Sequence, residues 1–422
     1  MADERIRVGF VGCGGISRLY ADIYADLVEI AQVVAVADLV DDLAERRRGV
    51  LSQAYIAEAH RARLLAAEAR DENGRVSQLR RAEAAETAAG VEIRKYRHYE
   101  ELLKDDAVQV VVLLTPPLIR GEPTIAAAEA GRHIFTQGPM AASVEEADAM
   151  VAAVQKAGVK FHSQCGARYP RGMVLARRAV ESGKLGQIGS ACVELNWYRG
   201  QGYYRGWHGT WEGEGGGAAF HHGRYIIDPF LWVVGSPVVE LFAYSGPMLR
   251  QIEHESLSQA VVRFANGATG TIHASLLNHR QKLTPEGRIE LLGHDASLLV
   301  GEEYYPSRTE GSGRGNYWQA ETSIASSDNP IAVDAVEALR TEVATVPEQA
   351  TEAYQSRLFL ESIARGTDPL VPIEVPRHHV EVVRAIYKSA ETGQPVTLPL
   401  NKDDPFYGNA GRLTHGIKRL AS

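Results

Sequence analysis

The chain has 422 residues, 45% hydrophobic and 23% charged, with a formal net charge of -8. A single core rarely grows that large, so two domains are expected, and the acidic balance offers no electrostatic footprint for nucleic acid. No apolar run approaches membrane-spanning length and no leader precedes the first strand, which points to a cytoplasmic protein with no membrane partner. Cys13, Cys165 and Cys192 lack C-x-x-C spacing and read as free thiols rather than a disulfide or zinc set.

Ile6 to Val11 is a short apolar run that enters Gly12-Cys13-Gly14-Gly15-Ile16-Ser17 without polar interruption, and Val33 to Ala37 ends in Asp38. A buried parallel strand, a glycine turn, a helix and an acid closing the next strand make a dinucleotide-binding βαβ start. Gly12 can make the tight turn, and Gly14 lets backbone approach a pyrophosphate. The helix opening near Gly15 directs its N–H groups and positive dipole end at the phosphates. Asp38 can accept from both adenosine ribose hydroxyls and would repel a 2′-phosphate, which favours NAD over NADP.

From Asp41 to about Ala89 the pattern is helical and charged, broken at Asp71-Glu72-Asn73-Gly74. One crossover helix would suffice, so residues near 50–85 read as an added helical hairpin, either a solvated arm or an oligomer contact. Strands follow near Val91 to Lys95 and Val108 to Leu114. The latter closes at Thr115-Pro116-Pro117, on the sheet edge where such folds bind ligands. A helix from about Pro123 to Ala130 and a strand His133 to Thr136 lead to Gln137-Gly138-Pro139, and the first domain is expected to span 1–140.

Ser143 and Glu146 form a capping box for a helix to Ala157, and a strand Lys160 to Ser163 follows. Period-two strands then appear at Val193 to Trp197, Val238 to Tyr244, Gln259 to Phe264 and Thr269 to Ala274, the last two joined by Asn266-Gly267, a strong hairpin signal. Gly311 to Gly315 reads as a flexible loop, and Tyr354 to Ala364 and Val380 to Ala390 as helices. The fold class is α/β, with residues 141–422 forming a second α/β domain around a mainly antiparallel sheet.

Several segments share one pattern: Val8 to Ser17, Thr115-Pro116-Pro117, Ala130 to Ile134, Gly215-Gly216-Gly217 leading to Asp228 and Trp232, and Ser389 to Val396. Together they resemble the glucose-fructose oxidoreductase, inositol dehydrogenase and rhizopine-catabolism (Gfo/Idh/MocA) superfamily, over nearly the whole chain apart from the helical insert. The resemblance implies a Rossmann domain followed by an open-faced α/β domain, whose sheet often makes subunit contacts in a homo-oligomer, here a dimer or tetramer. It also implies NAD(P)-dependent hydride transfer on sugars, inositols or related polyols, with Thr115, Pro116 and Gln137 beside the cofactor.

The catalytic positions depart from that family. Its usual Glu-Lys-Pro, whose lysine assists proton movement, is here Gln137-Gly138-Pro139, and its Asp, Gly and His after the triple glycine are here His221, Gly223 and Tyr225. Either the acid/base groups are rearranged or the hydride chemistry has been lost. Removing a hydroxyl proton suits a side chain that titrates near neutrality, and His221, His222 and Tyr225 offer three candidates within five residues. On a helix His221 and Tyr225 share a face, with His222 turned aside. The expectation is His221 or His222 as base, Tyr225 as its partner and Asp228 as orienting carboxylate; for each histidine a polar core role stands equally. Adjacent helical histidines point about 100 degrees apart, so no metal is expected.

Tyr204, Trp207 and His208 lie in a glycine-rich aromatic segment that suits a carbohydrate, with plain packing as the rival reading. Arg168 falls where relatives present an arginine to substrate, with a structural salt bridge as its alternative. The leading function is an NAD-dependent oxidoreductase acting on a sugar, sugar acid or cyclitol. The alternatives are a redox glycoside hydrolase or lyase that recycles its NAD, and a dinucleotide-sensing regulator without activity.

Overall fold

A computed structural model describes residues 5–279, 286–305 and 317–414; the loop expected at Gly311 to Gly315 lies outside them. The first half alternates strand and helix: β1 (Ile6–Val11), α1 (Gly15–Asp26), β2 (Ala31–Ala37), α2 (Asp41–Ala67), α3 (Glu72–Gly90), β3 (Arg94–Tyr96), α4 (Tyr99–Leu103), β4 (Val110–Leu113), α5 (Gly121–Glu129), β5 (His133–Thr136), α6 (Val144–Ala157) and β6 (Phe161–Ser163). Its six strands form a parallel sheet in the order β3-β2-β1-β4-β5-β6. Every residue of β2 is buried, as a strand covered on both faces requires. β6 pairs with β5, so this sheet continues past residue 140, where the domain boundary was expected.

The helical insert is present and longer than expected. α2 runs for 27 residues directly from the end of β2, so crossover helix and first arm are one element, and α3 packs back along it through Ala82, Ala85 and Ala88. The Tyr55 hydroxyl accepts from the Val33 N–H at 2.9 Å, tying the arm to the sheet. Buried Glu58 accepts from Arg61 at 2.8 Å and Arg81 at 2.6 Å.

The second half contains α7 (Arg171–Glu181), β7 (Ile188–Asn196), α8 (Trp211–Glu214), α9 (Ile227–Val234), β8 (Val238–Gly246), β9 (Leu257–Phe264), β10 (Thr269–Ser275), β11 (Gly287–Gly293), β12 (Ser297–Tyr305), β13 (Tyr317–Ala325), α10 (Pro330–Glu342), β14 (Gln349–Thr351), α11 (Glu352–Arg365), α12 (Glu374–Thr392) and β15 (Val396–Thr397). Among the described residues its nine strands run β14-β13-β12-β11-β7-β10-β9-β8-β15, and every neighbouring pair is antiparallel except β7 and β10. Burial alternates along β9, so one face packs on helices and the other is open. Tyr244 and Val261, 57% and 61% exposed, lie on the open face. No helix among the described residues is long and apolar enough to cross a membrane.

Candidate active site

Both parts of the site lie at the carboxyl edge of the parallel sheet. Gly12, Gly14, Asp38, Thr115 and Pro116 line one cleft of about 720 Å3. Gly12 has φ +92°, and a Cβ there would meet the Leu114 carbonyl carbon at 3.0 Å, so the turn requires glycine. At Gly14 and Gly15 a Cβ would meet nothing within 4 Å. Gly14 caps α1 without a side-chain bond, which leaves first-turn N–H groups facing open space. The Asp38 carboxylate accepts from Cys13 N–H at 2.7 Å and from Val40 N–H at 2.8 Å, which fixes it in the cleft. Cys13 contributes backbone only: its thiol is turned inward, and burial together with Asp38 pushes it up to about 12. Ile16 is 40% exposed beside the turn, and the buried Thr115 hydroxyl has no partner among the described residues. A glycine cradle, a free helix start, a fixed carboxylate and an orphaned hydroxyl fit a dinucleotide.

Gln137 and Gly138 follow the end of β5, the strand that pairs with β4 beside this cleft. Gln137 Nε2 donates to the Tyr20 hydroxyl at 2.6 Å, and Arg120 Nη1 donates to the Gln137 carbonyl at 2.9 Å. Burial, with neighbouring Arg224 adding to it, lowers the Arg120 guanidinium to about 9. Arg224 donates to both the Gly138 carbonyl and the Tyr225 hydroxyl.

The segment after the triple glycine is not the regular helix expected. His222 N–H bonds to Gly217 O at 3.1 Å, five residues back, and Gly223–Tyr225 then tightens to a three-residue turn. A four-residue separation shares a face only at the ordinary helical pitch, so His221 and Tyr225 part company. Tyr225 and His222 both pack on Trp197, at ring distances of 5.3 and 5.9 Å, while His221 faces Trp207 and His208 at 6.2 and 6.5 Å. Burial drives both histidines toward the neutral form: His221 falls well below its ordinary value, helped by Arg224, and His222 falls to about 3, helped by Arg199. His221 Nδ1 is buried without a partner among the described residues.

The Arg168–Asp228 pair bears on two expected roles. Asp228 does not orient a histidine: its carboxylate pairs with Arg168, and the two are 3% and 1% exposed. The same bond is the structural salt bridge that stood as the alternative for Arg168, whose guanidinium is buried in it. Near the aromatic segment a histidine does meet a carboxylate: His208 and Glu214, at 2.7 Å. Glu214 is fully buried, with Gly209 N–H at 2.6 Å and His254 at 2.9 Å. Burial alone would raise its pKa, but the hydrogen bonds from His254 and the Gly209 N–H hold it well below the usual carboxylate range. Trp207, 48% exposed, stacks on His208 at 3.9 Å, and His208 on Tyr203 at 4.4 Å. Tyr204 abuts Tyr203 at 5.1 Å, with its buried hydroxyl unpartnered among the described residues. Sequence reasoning missed Glu214, although it directly precedes the glycine run, and Arg120 and Arg224, whose roles depend on contacts between distant segments.

Two family models match the chain: residues 48–165 fit an oxidoreductase family with an NAD-binding Rossmann fold, and residues 173–299 fit the GFO/IDH/MocA C-terminal domain. A scyllo-inositol 2-dehydrogenase (NAD(+)) of Bacillus subtilis is 24% identical over 76% of this chain and 86% of its own length. The NADP(+) scyllo-inositol 2-dehydrogenase of the same organism is 30% identical, but the match spans only 33% of this chain and 38% of that protein. The WlbA dehydrogenase of Bordetella pertussis, solved with NADH and UDP-GlcNAcA, superposes with a TM-score of 0.68 at 25% identity, covering 94% of this chain and all of that one. With its two domains in the order and arrangement of these proteins, the chain is a member of the Gfo/Idh/MocA family of NAD-binding oxidoreductases.

Proposed function

We propose that the protein oxidises a secondary hydroxyl of a sugar, sugar acid or cyclitol with NAD. The observation that carries this reading is the adjacency of two sites on one sheet edge: a cleft ending in Asp38, and the Gln137–Gly138 segment bordered by Tyr225 and two buried arginines. When bound, NAD supplies the acceptor for the hydride that leaves the substrate carbon. The hydroxyl proton must then pass to a protein group as the carbon–oxygen double bond forms. The acid/base set is His221 and Tyr225, with His222 as packing support against Trp197 and Tyr203. Trp207 and His208 give one wall an aromatic face and a polar edge, the combination that suits a polyol. The names of the relatives, inositol dehydrogenases and a nucleotide-sugar dehydrogenase, agree with this substrate class. The exposed apolar residues on the open sheet face support a homo-oligomer.

The test is a panel of free sugars, sugar acids, cyclitols and aryl glycosides incubated with NAD, recording NADH and released aglycone together. NADH formed in step with product supports the reading. Aglycone without NADH replaces it with the redox glycosidase, and no turnover with tight NAD binding replaces it with a sensor.

A further inference from the structure

At Gly138 a side chain is excluded. A Cβ there would stand 2.8 Å from the Gln164 carbonyl oxygen and 3.1 Å from Arg224 Cδ. The space is filled from the other domain: the Arg224 stem passes over the glycine, and its guanidinium donates to the Gly138 carbonyl and to the Tyr225 hydroxyl. The same cation lies 4.4 Å from the Tyr225 ring centroid. The Cys165 thiol donates to the Arg224 carbonyl at 2.9 Å, fixing the backbone from which the side chain departs.

Arg224 is 8% exposed, and among the described residues no carboxylate forms an ion pair with it and its Nε has no hydrogen-bond partner. Burying a cation without a counter-charge is unfavourable, and neighbouring Arg120 adds a second positive charge. A folding role explains that arrangement poorly, because an apolar side chain would fill the same space at lower cost. A site that stabilises developing negative charge explains it well.

We infer that Arg224 is the positioning residue for proton transfer at this site and that it acts through Tyr225. The inference rests on the oxidoreductase reading above. Arginine has donors only, so in the Arg224–Tyr225 bond the phenol oxygen accepts, and its own proton points elsewhere. In the reducing direction Tyr225 gives that proton to the substrate carbonyl oxygen as hydride reaches the carbon. In the oxidising direction the reverse transfer returns the hydroxyl proton to the Tyr225 oxygen as hydride departs. Each direction moves one proton and one hydride, so charge and atoms balance. His221, driven toward the neutral form by burial and Arg224, completes the acid/base set beside the substrate hydroxyl.

The full-length protein is assayed with NAD and its best panel substrate as wild type, Arg224→Ala, Arg224→Lys, Tyr225→Phe and Arg224→Lys/Tyr225→Phe. Arg224→Ala is expected to lose on the order of 10²-fold in kcat, the scale of one preorganised donor, with NADH affinity unchanged. Guanidinium well below denaturing concentration should restore part of that activity in Arg224→Ala and none in Tyr225→Phe. Arg224→Lys keeps a charge but loses the fork, and Tyr225→Phe added to it should cost little more, because the two act as one unit. Wild-type kcat in Arg224→Ala, loss without guanidinium rescue, or additive losses in the double variant would each overturn the inference and leave the oxidoreductase reading standing. A wild-type protein that forms no NADH from any panel member overturns both. If Arg224→Ala does not fold, the lysine variants decide the question alone.

Discussion

The Cys13 backbone N–H and the Asp38 carboxylate meet at 2.7 Å, joining the glycine turn to the end of the neighbouring strand. With Val40 N–H on the other oxygen, the carboxylate cannot swing aside to admit a phosphate. NAD(H) is therefore expected to bind at least about tenfold more tightly than NADP(H), one charge repulsion and lost ribose bonds being worth roughly 1.4 kcal/mol or more. Asp38→Ser should narrow the gap. Fluorescence titration of both nucleotides measures it, and equal wild-type affinities would refute the assignment.

His221 and His222 occupy different environments and should respond differently. His222→Phe keeps the ring contacts with Trp197 and Tyr203 and is expected to change turnover only slightly. His221→Ala removes a polar group at the proposed substrate position and should lower kcat by about 10² or more. Steady-state kinetics on both variants settle the order, and the reverse ranking would place the chemistry on His222.

Breaking the Arg168–Asp228 pair leaves a charge stranded in the core. Asp228→Ala is expected to destabilise the protein by about 3–5 kcal/mol, whereas Arg168→Met/Asp228→Leu should recover most of that loss. Urea unfolding of the three proteins checks this, and a double variant as unstable as the single one would contradict it.

Burial lowers His162 and His222 to about 3 and His379 to about 4. The unfolded chain takes up protons near the ordinary 6.5 while the folded one does not, so their contribution is complete above about 6.5 and is eroded as pH falls toward 3–4. At pH 5 each should cost on the order of 1–2 kcal/mol. His254 has the opposite sign: burial opposes its charge, but Glu214 and Glu255 raise its pKa, so its contribution is full below about 6.5 and fades as pH rises through the folded value. Denaturation midpoints at pH 5 and 7.5, in wild type and His379→Gln, should show the acid loss and its partial relief.

Gly138→Ala is expected to cost about 1–3 kcal/mol, because the Gln164 backbone cannot retreat as a side chain would. For the same reason Gly138→Lys should lower activity rather than raise it. A gain in turnover would mean that the site still wants a lysine at this position.

The parallel sheet was legible because its signals are local: Gly12 to Asp38 carries strand, turn, helix and acid in order, and the period-two runs reported β8, β9 and β10 directly. Residues of the site were harder to read. The Asp228 partner comes from Arg168, and the Gly138 neighbour from Arg224, pairings that neither spacing nor composition encodes. The wide turn at Ala218–His222 also broke the one geometric assumption made there, that of a regular helix. Glu214 lies in plain view beside the triple glycine, but its bonds to His208 and His254 become visible only when the loop folds back.

Phe359 and Leu360, on α11 near the end of the chain, pack into the core of the first domain, where the Phe359 ring meets Phe135 at 5.8 Å and His162 at 5.9 Å. The nucleotide half is therefore not an autonomous module. During synthesis its core keeps an open gap until α11 has emerged, after β14 of the second sheet, and an excised fragment ending after β6 would expose the apolar socket that Phe359 closes.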